Sequence, residues 1–74
     1  MQVTIKLFAT FREGRFAVDK REYTQGTKVG LIVDELDIPR EQLGIVMVNS
    51  RHVDLDHKLQ DGDTLALFPL VGGG

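Results

Sequence analysis

The chain closes on "LALFPLVGGG", a strand-like apolar run followed by three glycines and a carboxylate. Glycine has no Cβ, so Gly72, Gly73 and Gly74 form a narrow, unhindered end around the last carbonyl carbon. Such an end is either a frayed terminus or a reactive group presented to another protein. Other chemistry is scarce. The sequence has no cysteine, which removes disulfides, thiol nucleophiles and thiolate zinc sites together. It carries no phosphate-binding G-x-x-x-x-G-K, no G-x-G-x-x-G and no H-E-x-x-H. "HVDLDH" sets His52, Asp54 and Asp56 at alternate positions with His57 adjacent, a pattern that could hold a metal if it lay on one strand face. The simpler reading is a polar surface loop that turns Val53 and Leu55 inward. Asp61 and Asp63 flank Gly62 and read as turn formers. No metal site is expected.

These groups must be placed by one small domain. Seventy-four residues with 42% hydrophobic and 27% charged side chains are too few for two cores and too apolar for disorder. A chain this short buries only about 60% of its unfolded surface, so its core has little to spare. Nine basic and eleven acidic side chains are scattered without a basic cluster, which argues against nucleic acid as a partner. "MQVTIK" lacks the pattern of a signal peptide, and no apolar run approaches membrane-spanning length. A cytoplasmic location, with no membrane partner, is the expectation.

In "QVTIKLF", Val3, Ile5 and Leu7 alternate with Thr4, Lys6 and Phe8, the period of a strand with one buried face. "REGR" supplies a tight reversal, and "FAVDKREY" reads as a second, exposed edge strand. The period then changes. Val29, Ile32, Val33 and Leu36 form one helical face, with Thr27 as N-cap and an end near Leu36 or Asp37, because Pro39 disfavours helical geometry at Ile38. "PREQLG" adds a short turn stopped by Gly44, "IVMVN" a strand, "NSRH" a turn, and "VDLDHKL" an irregular stretch with at most a very short strand. "QDGD" is a further turn, and "TLALFPL" is the last strand. A single helical stripe packed on one sheet face is an α+β two-layer sandwich: the β-grasp, or ubiquitin-like, architecture, with a mixed four- to five-stranded sheet. The domain is expected to span 1–71, followed by a flexible glycine tail, 72–74.

Alternation also predicts a surface. With Leu65 and Leu67 facing the helix, Thr64, Ala66 and Phe68 face outward, as does Phe8 on the first strand. In a β-grasp sheet the first and last strands are parallel neighbours, which would set both phenylalanines together beside the exit of the tail. Exposed apolar residues are ordinary taken singly. Two of them beside an unhindered end read as a docking patch.

"LFATFRE" near the start and "DGDTLALFPLVGGG" at the end, with the hairpin-helix order and the length, resemble the MoaD/ThiS family of ubiquitin-like sulfur carriers over the whole chain. The "FP-V-GG" ending and "FA-RE" start are most similar to the small subunit of molybdopterin synthase. The chain departs from that pattern at Gly72, where another residue is usual, and at Leu70, where a second proline is common. The resemblance implies a protein substrate rather than an enzyme. An E1-like adenylyltransferase would use ATP to activate the Gly74 carboxylate, and a sulfur donor system would convert it to a thiocarboxylate that serves molybdopterin or tungstopterin synthesis on the large synthase subunit. No cofactor is expected to be stably bound. Without cysteine, transferable sulfur on this chain has only the C-terminus available. Phe8 and Phe68, with Leu70, are the expected partner surface. Arg12, in the position of the family's "RE" arginine, is expected either to add an ion pair at its rim or to be a solvated hairpin charge. Conjugation of Gly74 to other proteins, or sulfur transfer to the thiazole of thiamine, are the alternatives.

Overall fold

The alternation of Val3, Ile5 and Leu7 produces strand β1 (Gln2–Leu7), whose inward side chains are fully buried. The computed structural model describes residues 1–70. β1 pairs antiparallel with β2 (Val18–Glu22), from Gln2 opposite Glu22 to Lys6 opposite Val18. On its other side it runs parallel to β5 (Thr64–Pro69), with Thr4 opposite Thr64 and Leu7 opposite Leu67. β3 (Leu43–Val48) lies antiparallel to β5, and the two-residue β4 (Arg51–His52) closes the other edge, giving the order β2-β1-β5-β3-β4. Helix α1 (Val29–Glu35) crosses one face. Its Val29, Ile32 and Val33 meet Val3, Ile5, Leu7, Leu65 and Leu67 in a core where all eight are completely buried. Each such side chain contributes about 1.5–3 kcal/mol of transfer free energy. This is the expected β-grasp sandwich, with five strands on one main helix.

Several local expectations change. The first strand ends at Leu7, and Phe8 is the extended residue before a 3-10 turn, Ala9–Arg12. That turn inserts Phe11 into the core, 2% exposed, so the reversal is wider than "REGR" alone implies and β2 starts at Val18 rather than Phe16. Thr27 does not cap α1. Its hydroxyl donates to the Thr24 carbonyl at 2.7 Å, and Lys28 is the N-cap with no side-chain bond. Main-chain carbonyls of the 53–57 loop do the capping instead: Val29 N–H donates to His57 O at 3.0 Å and Gly30 N–H to Leu55 O at 2.9 Å. These satisfy two of the donors that a helix start leaves open. That loop packs tightly on Gly30: a Cβ there would lie 3.2 Å from Leu55 O and 2.9 Å from the end of the Arg40 side chain.

The polar loop therefore has a structural task. Val53 and Leu55 are half-buried against the core, as expected. Among the described residues no group of three His, Asp or Glu side chains is arranged to hold a metal ion. Asp63 closes its turn by accepting from the Gln60 amide at 2.8 Å, whereas Asp61 ties the turn to the first strand by accepting from the Gln2 amide at 2.7 Å. In "NSRH" only Asn49 and Ser50, at φ 52° and 67°, make the turn, and Arg51–His52 form β4. Two consecutive left-handed residues suit a tight hairpin. Among the described residues no helix is long and apolar enough to cross a membrane. The boundary expected between residues 71 and 72 lies outside the described residues.

Candidate docking face and C-terminal tail

Because β1 and β5 are parallel with Leu7 opposite Leu67, the residue after each stands on the opposite face. Phe8 and Phe68 therefore meet on the face that α1 leaves open. Their rings stack with centroids 4.2 Å apart and planes 9° from parallel, each half-buried. Phe8 N–H donates to Leu67 O at 3.2 Å, extending the β1–β5 ladder one residue beyond the strand and fixing the backbone that carries the pair. An aromatic pair contributes about 0.5–1.5 kcal/mol beyond its area. The outer halves of both rings stay available.

The β3–β5 register adds residues that sequence patterning did not single out. Ile45 pairs with Phe68 and Met47 with Ala66. Ile45 is 41% exposed, and Met47 lines a shallow depression with Lys6, Phe8, Ala66 and Phe68. The apolar strip thus spans three strands. Its signal was present in "IVMVN", but the run reads as apolar throughout, so the open face emerges only from pairing with β5.

Arg12 lies at one end of the strip. Its Nε donates to Leu7 O at 2.8 Å, and its guanidinium carbon stands 5.5 Å from the Phe8 ring centroid, within cation–π range. This holds the arginine over the aromatic pair. Leu70 continues from β5 with its side chain 66% exposed, while its N–H donates to Gln42 O at 2.9 Å. Gly72, Gly73 and Gly74 lie outside the described residues. Arg12 thus stands over Phe8, Phe8 stacks on Phe68, and Leu70 directly follows the end of β5.

The strongest electrostatic perturbation lies elsewhere. The Tyr23 phenol is pushed up to about 12, first by burial and then by its hydrogen bond to Glu35, 2.7 Å away. Tyr23 follows β2 and joins that edge to α1, away from the phenylalanine strip. It belongs to the scaffold.

A family model described as the ThiS family matches residues 5–74. A protein assigned as molybdopterin converting factor subunit 1 from Pyrococcus furiosus is 27% identical, with a TM-score of 0.78 over 96% of this chain and 99% of that one. SAMP1 from Haloferax volcanii is 26% identical, with a TM-score of 0.77 and complete coverage of both chains. A chain from the Helicobacter pylori complex of subunits 1 and 2 of molybdopterin-converting factor is 27% identical, with a TM-score of 0.66 and complete coverage of both. No curated protein sequence matches closely enough to count as a relative.

Proposed function

This chain belongs to the ThiS family of small ubiquitin-like sulfur carriers and modifiers, and from that premise we propose that it carries sulfur as a C-terminal thiocarboxylate for molybdopterin or tungstopterin synthesis. The observation that carries the reading is the stacked Phe8–Phe68 pair, 4.2 Å between centroids, beside the strand that leads to Gly72–Gly74. A docking face and an unhindered carboxylate are the two features an adenylating partner requires.

The chemistry divides between chain and partner. A carboxylate is a poor electrophile until one oxygen becomes part of a leaving group. On an E1-like adenylyltransferase, a Gly74 carboxylate oxygen attacks the α-phosphorus of ATP and pyrophosphate departs. A hydrosulfide ion then attacks the acyl carbon, the C–O bond to AMP breaks as AMP departs, and loss of the S–H proton leaves the thiocarboxylate. A persulfide donor gives an acyl disulfide instead, which a thiol must reduce to release the thiocarboxylate. The chain supplies the docking face through Phe8, Phe68 and Leu70, with Arg12 at the rim, and Gly72 and Gly73 pass through a narrow channel. ATP belongs to the partner. The reading places the protein in the cytoplasm, where ATP is available. The Helicobacter pylori complex of subunits 1 and 2 supports a large synthase subunit as the second partner.

The likeness to SAMP1, a small archaeal modifier protein, supports a second reading. There the same activated Gly74 would be joined to an amine of another protein. One experiment addresses both. The protein is incubated with its E1-like enzyme, ATP and a sulfur donor, and intact-protein mass spectrometry should find one oxygen replaced by sulfur at Gly74. An unchanged mass, or a change on an internal residue, defeats the carrier reading. Gly74 joined to lysine-containing proteins in place of the thiocarboxylate supports the modifier.

A further inference from the structure

Gly44 interrupts the β3–β5 ladder beside the exit of the tail. The register runs regularly from Val48 opposite Leu65 to Ile45 opposite Phe68, then shifts so that Leu43 stands opposite Pro69. Gly44 is thus an extra residue on β3, a bulge at the end of β5. Bulges bend a strand and re-aim the chain beyond them. Most glycines of the described chain explain themselves differently: Gly14, Gly26 and Gly62 have φ of 68°, 81° and 86° and open space where a Cβ would stand. Gly44 has neither. Its φ is not positive, and a Cβ built on it would lie 2.6 Å from Pro69 O, 2.8 Å from Pro69 C and 3.0 Å from Leu70 N. Those atoms are backbone and cannot swing aside. The contact they make with Gly44 is reinforced by the Leu70 N–H donating to Gln42 O at 2.9 Å. Pro69 has no N–H to give, so this bond is the chain's last backbone tie among the described residues.

We infer that Gly44 is a positioning residue for the reaction at Gly74: its missing side chain lets β3 grip Pro69 and Leu70, and this fixes the place of Leu70, the last described residue before the tail, relative to the Phe8–Phe68 face. The inference rests on the carrier reading. Docking by the aromatic pair sets one coordinate of the complex, and the exit at Leu70 sets the other. Adding a Cβ at Gly44 pushes the exit off β3 while the β1–β5 ladder that carries the stack stays intact. A small misplacement of a reacting group costs about a hundredfold in rate. Carrier binding, which rests mainly on the Phe8–Phe68 stack, changes far less than the rate, the share of Leu70 in docking being the part at risk.

The test is pyrophosphate release by the E1-like enzyme as a function of carrier concentration, for wild type, Gly44→Ala and Gly62→Ala. Gly44→Ala should lower kcat about ten- to a hundredfold, with a much smaller rise in KM for the carrier. Gly62→Ala, strained by its φ of 86° but remote from the end of β5, should lose stability and keep kcat once corrected for the folded fraction. An unchanged kcat in Gly44→Ala, or a rise in KM alone, overturns the inference. So does an equal loss of kcat in both variants. If Gly44→Ala does not fold, amide hydrogen exchange on wild type decides: the Leu70 amide should be protected well beyond a solvent-exposed amide, and an unprotected one removes the anchor. Wild type that is not adenylated at all defeats the carrier reading, whereas the anchor is still read by hydrogen exchange.

Discussion

Leu67 and Phe68 are neighbours in β5 with opposite fates, so the same substitution at each separates fold from docking. Leu67 is completely buried, paired with Leu7 on β1 and Val46 on β3. Leu67→Asp sets a carboxylate where the core offers no buried polar partner. Such a group costs several kcal/mol. Added to the lost leucine, about 2–5 kcal/mol for a cavity-forming change, the penalty matches the roughly 5 kcal/mol of a small domain. No cooperative unfolding transition should remain. Phe68→Asp leaves its carboxylate hydrated on the open face. The fold loses the stack with Phe8, about 0.5–1.5 kcal/mol, plus the buried half of one ring, about 1 kcal/mol. A melting temperature lower by about 6–20 °C is expected, with binding to the E1-like enzyme reduced much further. Melting curves and titration calorimetry read the two quantities. Equal destabilisation by both substitutions would mean that the register is wrong. A folded Phe68→Asp protein binding at wild-type strength would remove the strip from the docking account.

Adding one residue after Gly74, or removing Gly74, should leave the melting temperature unchanged and abolish pyrophosphate release, because the reacting carbonyl is displaced by a residue; adenylation of the extended chain without trimming would show that another group reacts. The single tyrosine should titrate near 12 instead of its ordinary 10, read by ultraviolet absorbance, and Glu35→Gln should bring the midpoint down. The folded state favours the neutral phenol, so its stabilising effect is complete below pH 10 and is lost as pH rises through about 12; Tyr23→Phe should flatten the stability profile in that window. Arg15 donates to Leu36 O, Phe11 O and Asp37 O at 2.9, 3.2 and 3.0 Å, tying the hairpin turn to the end of α1. Arg15→Ala should therefore lower stability by about 1–2 kcal/mol without changing adenylation, and an unchanged melting temperature would show the tie to be unimportant.

Where pattern and environment agree, the sequence was a sufficient guide. Val3, Ile5 and Leu7 alternate because one side faces a helix, and Val29, Ile32 and Val33 recur at helical spacing because they face that sheet. Period alone carries such information. Caps were harder. Thr27 is a good N-cap by residue type, but the carbonyls of Leu55 and His57 come from a loop distant in sequence, and no local preference encodes their arrival. Phe11 was obscured similarly: beside "REGR" it looks like part of a turn, and only the 3-10 geometry of Ala9–Arg12 rotates it into the core.

The docking strip shows the same division more sharply. Phe8 and Phe68 could be paired in advance because parallel β1 and β5 follow from the fold, and their outward direction follows from alternation. Ile45 and Met47 could not, since their place depends on the register of β3 against β5. That register contains a bulge at Gly44, where the Pro69 and Leu70 backbone leaves no room for a Cβ. Read locally, Gly44 stops the "PREQLG" turn. In the structure it lies inside a strand, and the space it leaves is occupied by the end of β5. A residue whose role is to have no side chain offers no side-chain contact to read, so its role becomes visible only when the neighbour filling that space is known.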